Sequence, residues 1–211
     1  MKTILCFGDS NTWGFMPNTD HERLPAGSRI PDILQAELGA DFRVIDEALN
    51  GRMSAWDDPM HADKNALRQL PFLLDSHRPI DMVTLQLGTN DMKHYMHLSA
   101  LDSALAQDSL IDAIEGAHCG PGGERPKILL IAPPLIVDTD NAVRDLFAGG
   151  VEKSLAFADA YRKIADKRQC LFFNAAAVVK ASVRDGIHLE AEEHRKQALA
   201  MADIMRKAFS P

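Results

Sequence analysis

The chain has 211 residues, with 30 acidic against 23 basic side chains and a formal net charge of −7 at pH 7. That length suits one domain with a single sizeable core, here taken as residues 1–211. The negative balance argues against a nucleic-acid partner, which needs a basic surface, and no apolar run reaches the roughly 18 residues of a membrane helix, so no membrane is expected.

The first apolar run, Thr3 to Phe7, reads as a strand. It is too short for a signal-peptide core and gives way to Gly8-Asp9, so a cytoplasmic protein is expected. Ser28 to Leu38 reads as a helix with Ser28 as its cap, Pro31 in the first turn and Gly39 at its end. A second strand runs from Phe42 to Asp46, and a helix interrupted by Pro71 from Lys64 to Asp75. The third strand is Met82 to Leu87, and a long amphipathic helix follows over Ser99 to Ala117. Gly120-Pro121-Gly122-Gly123 is a turn into the fourth strand, Lys127 to Ala132. A helix over Val151 to Arg168, a fifth strand over Cys170 to Asn174 and a helix over Glu190 to Phe209 complete the chain. Strand and helix alternate, and the strands are apolar throughout. The pattern predicts an α/β fold with a five-stranded parallel sheet covered by helices on both faces.

Parallel sheets of this kind bind ligands at the carboxyl ends of their strands. Ser10 follows strand one, Asn50 and Gly51 follow strand two, and Asn90 follows strand three. Asp185 and His188 follow strand five, so all fall on one rim. Ser10 is a candidate nucleophile and needs a base. His188 is that candidate, because an imidazole titrates near neutrality, and Asp185 can orient it across one turn. Asn90 offers an amide, Gly51 and Ser10 offer backbone N–H groups, and together they would make an oxyanion hole. The competing readings are a turn serine at Ser10 and a helix-capping asparagine at Asn90. Six other histidines, His61, His77, His94, His97, His118 and His194, read as surface residues. Cys6, Cys119 and Cys170 are odd in number and widely spaced, with neither a metal pattern nor a disulfide framework. Cys6 and Cys170 read as inert residues of buried strands.

These blocks resemble the SGNH, or GDSL-type, hydrolase superfamily, and most closely its bacterial arylesterase/acyltransferase branch. The resemblance rests on Leu5-Cys6-Phe7-Gly8-Asp9-Ser10, Thr12-Trp13-Gly14, Asp57-Asp58-Pro59, Leu87-Gly88-Thr89-Asn90-Asp91 and Asp185-Gly186-Ile187-His188. It extends over nearly the whole chain. The four family positions fall on Ser10, Gly51, Asn90 and His188. Asn11 stands where leucine is commonest in the family. The resemblance implies a three-layer α/β/α sandwich of flavodoxin-like topology. It also implies a serine esterase acting on short-chain acyl or aryl esters, with acyl transfer to alcohols as a further outcome, and a homo-oligomer. The alternatives on the same fold are a carbohydrate O-deacetylase, a lysophospholipase or a thioesterase, and, in another class, a silent binding module.

No Gly-x-Ser-x-Gly elbow, Walker loop, dinucleotide fingerprint or His-Glu-x-x-His occurs, so neither cofactor nor metal is implied, and the expected partner is a small-molecule ester. Asn11, Trp13, Trp56 and Met92 are the candidate pocket walls, with Phe15 and the segment Leu135 to Phe147 beside them. Bulky residues so close to Ser10 lead us to expect a short acyl slot.

Overall fold

The computed structural model describes residues 1–141 and 143–210. Five strands form one wholly parallel sheet in the order β2-β1-β3-β4-β5. They are β1 (Lys2–Gly8), β2 (Phe42–Ala48), β3 (Met82–Gln86), β4 (Lys127–Ala132) and β5 (Leu171–Asn174). The helices are α1 (Ser10–Trp13), α2 (Ile30–Leu38), α3 (Ala66–His77), α4 (Ala100–Gly116), α5 (Val143–Leu146), α6 (Gly150–Leu155), α7 (Phe157–Arg168) and α8 (Ala191–Phe209).

Side chains alternate across a strand, so β1 supplies two cores. Leu5 and Phe7 pack with Leu70 of α3, Ile111 of α4 and Tyr161 of α7. Ile4 and Cys6 pack with Ile30 and Leu34 of α2 and with Met201 and Met205 of α8. The three-layer arrangement follows from these two apolar faces. β2 is an edge strand, half-buried along its length, and it carries Arg43, Asp46 and Glu47; charge on an edge opposes pairing with another chain.

Register brings the carboxyl ends together. Gly8 pairs with both Ala48 and Gln86, and Gln86 with Ile131. The strand order reverses direction between β1 and β3, where such sheets open a ligand crevice.

The sequence reading needs four corrections here. Ser28 does not cap α2: its Oγ donates to Pro25 O at 2.6 Å, and Arg29 occupies the cap position. Asp32 instead organises that turn, accepting from Gly27 N at 3.0 Å and Arg29 Nε at 2.7 Å. Pro71 does not interrupt α3, because it lies on the exposed face, where water can satisfy the displaced carbonyl while Leu70 and Leu74 hold the other side. The helix expected over Val151 to Arg168 is divided at Ala156 into α6 and α7, and Phe157 and Tyr161 of α7 fill the space over Gly88. Cys170 is half-buried and precedes β5 rather than lying within it.

Candidate active site

The Ser10 block is built at the end of β1. Asp9 accepts from Asn11 N at 3.0 Å through its carboxylate, and its carbonyl receives Thr12 N and Trp13 N, so the chain turns at once into α1. Gly8 has to lack a side chain, since a Cβ there would lie 2.1 Å from Thr12 Oγ1. Ser10 is thereby held at the N-terminus of a four-residue helix, 5% exposed.

The opposite wall is the loop between β5 and α8. Asp185 accepts from the backbone N–H groups of Ile187 and His188, both at 3.0 Å, and from Asn18 N at 3.2 Å. Its Oδ2 lies 2.7 Å from His188 Nδ1. Burial would raise the Asp185 pKa, but the hydrogen bond and charge of His188 and these backbone donors hold it down at about 2. An ionised carboxylate only accepts, so Nδ1 carries the proton and the Nε2 lone pair is left free. That nitrogen lies 3.0 Å from Ser10 Oγ. The ring is stacked on Phe15 with centroids 4.3 Å apart.

Asn11 joins the two walls. Its Nδ2 donates to Ile187 O at 3.2 Å and its Oδ1 accepts from Leu189 N at 3.2 Å, gripping the backbone on both sides of His188. It is 1% exposed and is therefore not a pocket wall. Met92, the other misplaced wall residue, is fully buried in the core beneath α3 and α4. Trp56 is half-buried with its Nε1 enclosed, and Trp13 lines an open cleft. Within the segment Leu135 to Phe147, Ile136 and Phe147 are buried, and Ala142 lies outside the described residues.

Asn90 opens a single 3₁₀ turn after β3 and donates through Nδ2 to Arg52 O at 3.1 Å. Its amide has two N–H groups, so one remains for a ligand. Gly51, in the adjoining loop, has φ +73°, which favours glycine. Asp91 ties this loop down: it accepts from Ser54 N at 3.0 Å and Ser54 Oγ at 2.6 Å, and Gln107 Nε2 donates to that hydroxyl at 2.8 Å. Arg52, which the sequence reading missed, is buried over the Phe7 ring at 4.1 Å and donates to Gly8 O at 2.8 Å. Burial lowers its pKa to about 10. Asp58, quoted above only as part of a family block, receives Lys93 Nζ at 2.7 Å, Met60 N at 2.8 Å and Tyr95 OH at 3.0 Å. A buried cation signals itself in sequence only through its partner, and Gly8 and Asp58 lie 44 and 35 positions from Arg52 and Lys93.

His194 is not a surface residue. It is 0% exposed on α8, both ring nitrogens lack a partner among the described residues, and burial together with nearby His188 lowers its pKa to about 4. Among the described residues, no cluster of three or more His, Cys, Asp or Glu side chains could hold a metal ion. No helix among them is long and apolar enough to cross a membrane.

Residues 6–196 match the GDSL-like lipase/acylhydrolase family. The chain belongs to it. Solved structures agree over the full length. The native M. smegmatis aryl esterase is 35% identical, with TM-score 0.94 over 98% of this chain and 99% of that one. Est24, a carbohydrate acetylesterase from Sinorhizobium meliloti, is 34% identical, with TM-score 0.95 over 99% and 100% of the two chains. A carbohydrate acetylesterase family member from the same organism is 39% identical, with TM-score 0.92 over 98% of each chain. Among curated proteins none matches. The expectation of an SGNH hydrolase, and of a three-layer α/β/α fold, holds; this family member is a carboxylic ester hydrolase.

Proposed function

We propose that the chain, acting as one domain, hydrolyses short-chain acyl or aryl esters through an acyl-enzyme on Ser10. The observation that carries this is the line from Asp185 Oδ2 to His188 Nδ1 at 2.7 Å and from His188 Nε2 to Ser10 Oγ at 3.0 Å. Ser10 Oγ attacks the ester carbonyl while His188 Nε2 takes its proton. The imidazolium so formed is stabilised by ionised Asp185. Negative charge on the carbonyl oxygen is met by the N–H groups of Ser10 and Gly51 and by the uncommitted amide N–H of Asn90. His188 returns its proton to the leaving alcohol. A water molecule, activated by the same imidazole, then releases the acid and restores Ser10.

The other acceptor for the acyl group is an alcohol, which gives acyl transfer by the same steps. Sugar acetates are the second substrate reading, favoured by the likeness to Est24. Assembly as a homo-oligomer is part of the proposal by likeness of family and is checked by gel filtration.

A panel of para-nitrophenyl acetate, butyrate and octanoate with acetylated sugars tests the reading, with Ser10→Ala as the control. Acetyl and butyryl esters should be the best substrates, and kcat/KM should fall at least about tenfold by octanoyl, or about 1.4 kcal/mol in the barrier. The cause is the cost of displacing packed side chains, typically about 1–3 kcal/mol. Preference for octanoyl over acetyl below the micelle concentration would contradict the short slot. Acetylated sugars turned over well above the aryl acetates would establish the second substrate reading.

A further inference from the structure

A cleft of about 390 Å³ opens beside Gly51 and is lined by Trp13, His21, Leu49, Asn50, Lys64 and Lys93, with His61 at its edge. It is linked to His188 through Phe15. Phe15, stacked on His188, has its ring centroid 6.4 Å from that of Trp13 and 5.9 Å from that of His21. Water occupies roughly 30 Å³ in the liquid, so the cleft is several times larger than an acetyl group requires. Clefts of this size hold whole small molecules. Its space is therefore available to the alcohol side of an ester.

The lining contains no acidic residue. Lys93 is neutralised: its ammonium lies 2.7 Å from buried Asp58. Lys64 is different. It is half-buried, and its ammonium makes no ion pair or side-chain hydrogen bond among the described residues. Its Cε comes within 3.9 Å of where a Gly51 Cβ would stand, so the side chain lies across the loop that presents the Gly51 N–H. The apolar surfaces of Trp13 and Leu49 face the same space, and they suit a ring or a short carbon chain.

Resting on the esterase reading, we infer that the alcohol part of the preferred ester carries a carboxylate, recognised by Lys64 across the Trp13 cleft. One uncompensated ammonium matches one negative charge; a phosphate dianion would call for a second free cation, and Lys93 is already paired. An ammonium–carboxylate contact partly shielded from water is a charge-assisted hydrogen bond and discriminates strongly against a neutral isostere. The carboxylate remains on the alcohol product, so hydrolysis yields an acid and a hydroxy-carboxylate.

The acetyl esters of para-hydroxybenzoate and para-hydroxybenzamide share a ring and differ by one charge. After each rate is divided by that with hydroxide, the wild-type chain should favour the carboxylate about tenfold in kcat/KM. Lys64→Met should bring the ratio close to one, Lys64→Arg should keep most of it, and an ionic strength of about 1 M should narrow it. A wild-type ratio of one or less, or a preference that survives Lys64→Met, would overturn the inference while leaving the esterase reading intact. Turnover of neither ester would overturn the esterase reading itself, and this inference with it.

Discussion

Two clefts open at the site, one beside Gly51 and one beside Asp185, and the titratable side chains described in their linings differ in sign. On the Gly51 side the titratable lining is His21, His61, Lys64 and Lys93. On the other side, among the described residues, it is Asp138, Asp145, Glu152 and Asp185 itself. Apolar walls are present in both: Trp13 and Leu49 in the first, Ile136, Phe147 and Ile187 in the second. The difference follows the direction in which the proposed reaction separates charge. Attack by Ser10 places negative charge near Gly51 and Asn90, and positive charge on the imidazole beside Asp185. Preorganised charges opposite in sign to those that develop lower that barrier without reorganising during the step. An anionic leaving group would be attracted toward Lys64 on the Gly51 side.

Removing a donor from the basic side should have the largest effect. Asn90→Ala should lower kcat by about 10²–10³ with a smaller change in KM, because the amide meets charge that exists only in the transition state. Loss of about 1 kcal/mol in stability with the rate intact would reduce Asn90 to a structural turn residue. Steady-state kinetics and a melting curve on one preparation separate the two outcomes.

A smaller effect is expected where the two walls are joined. Asn11→Ala frees the Ile187 carbonyl and the Leu189 N–H and lets His188 drift relative to Ser10. Misplacement of about 1 Å costs up to about a hundredfold, so kcat should fall at least tenfold while KM moves little. A variant that loses melting temperature and keeps kcat would show that Asn11 serves the fold alone.

The smallest effect concerns the interior behind His188. The His194 pKa is depressed from 6.5 to about 4. The unfolded chain takes up this proton below about pH 6.5 while the folded chain refuses it until about pH 4, so stability is lost as the pH falls through that window. Between about pH 7 and pH 5 the loss should reach about 2 kcal/mol and should be absent in His194→Leu. Asp185 is held at about 2, so its stabilising contribution is full above about pH 4 and fades only below it. Urea midpoints at the two pH values check this; parallel losses in both proteins would place the acid lability elsewhere.

The sheet, and the residues that the structure brings together at the end of β1, were legible because most are announced locally. Apolar runs end in turn residues, Ser10 and Asn90 follow directly on strand ends, and His188 stands three residues after Asp185. What escaped the sequence is set by packing between distant segments. Asn11 grips a loop some 176 positions away in the chain. Lys93 finds Asp58 35 positions away. His194 lies on the inward stripe of α8, but an apolar stripe alone does not reveal a histidine that is buried without partners. The division of α6 from α7 has no breaker residue at Ala156, and just beyond it Phe157 and Tyr161 pack against Gly88.

The central claim is that Ser10 is the nucleophile activated by His188. A fluorophosphonate probe tests it most directly, with the modified peptide located by mass spectrometry and ester hydrolysis followed in the same sample. The account predicts that one probe is attached per chain, at Ser10. Activity should be lost in proportion to labelling, and labelling should be slowed by orders of magnitude in folded His188→Ala. Stoichiometric labelling at another residue, or full esterase activity in folded Ser10→Ala, would contradict it.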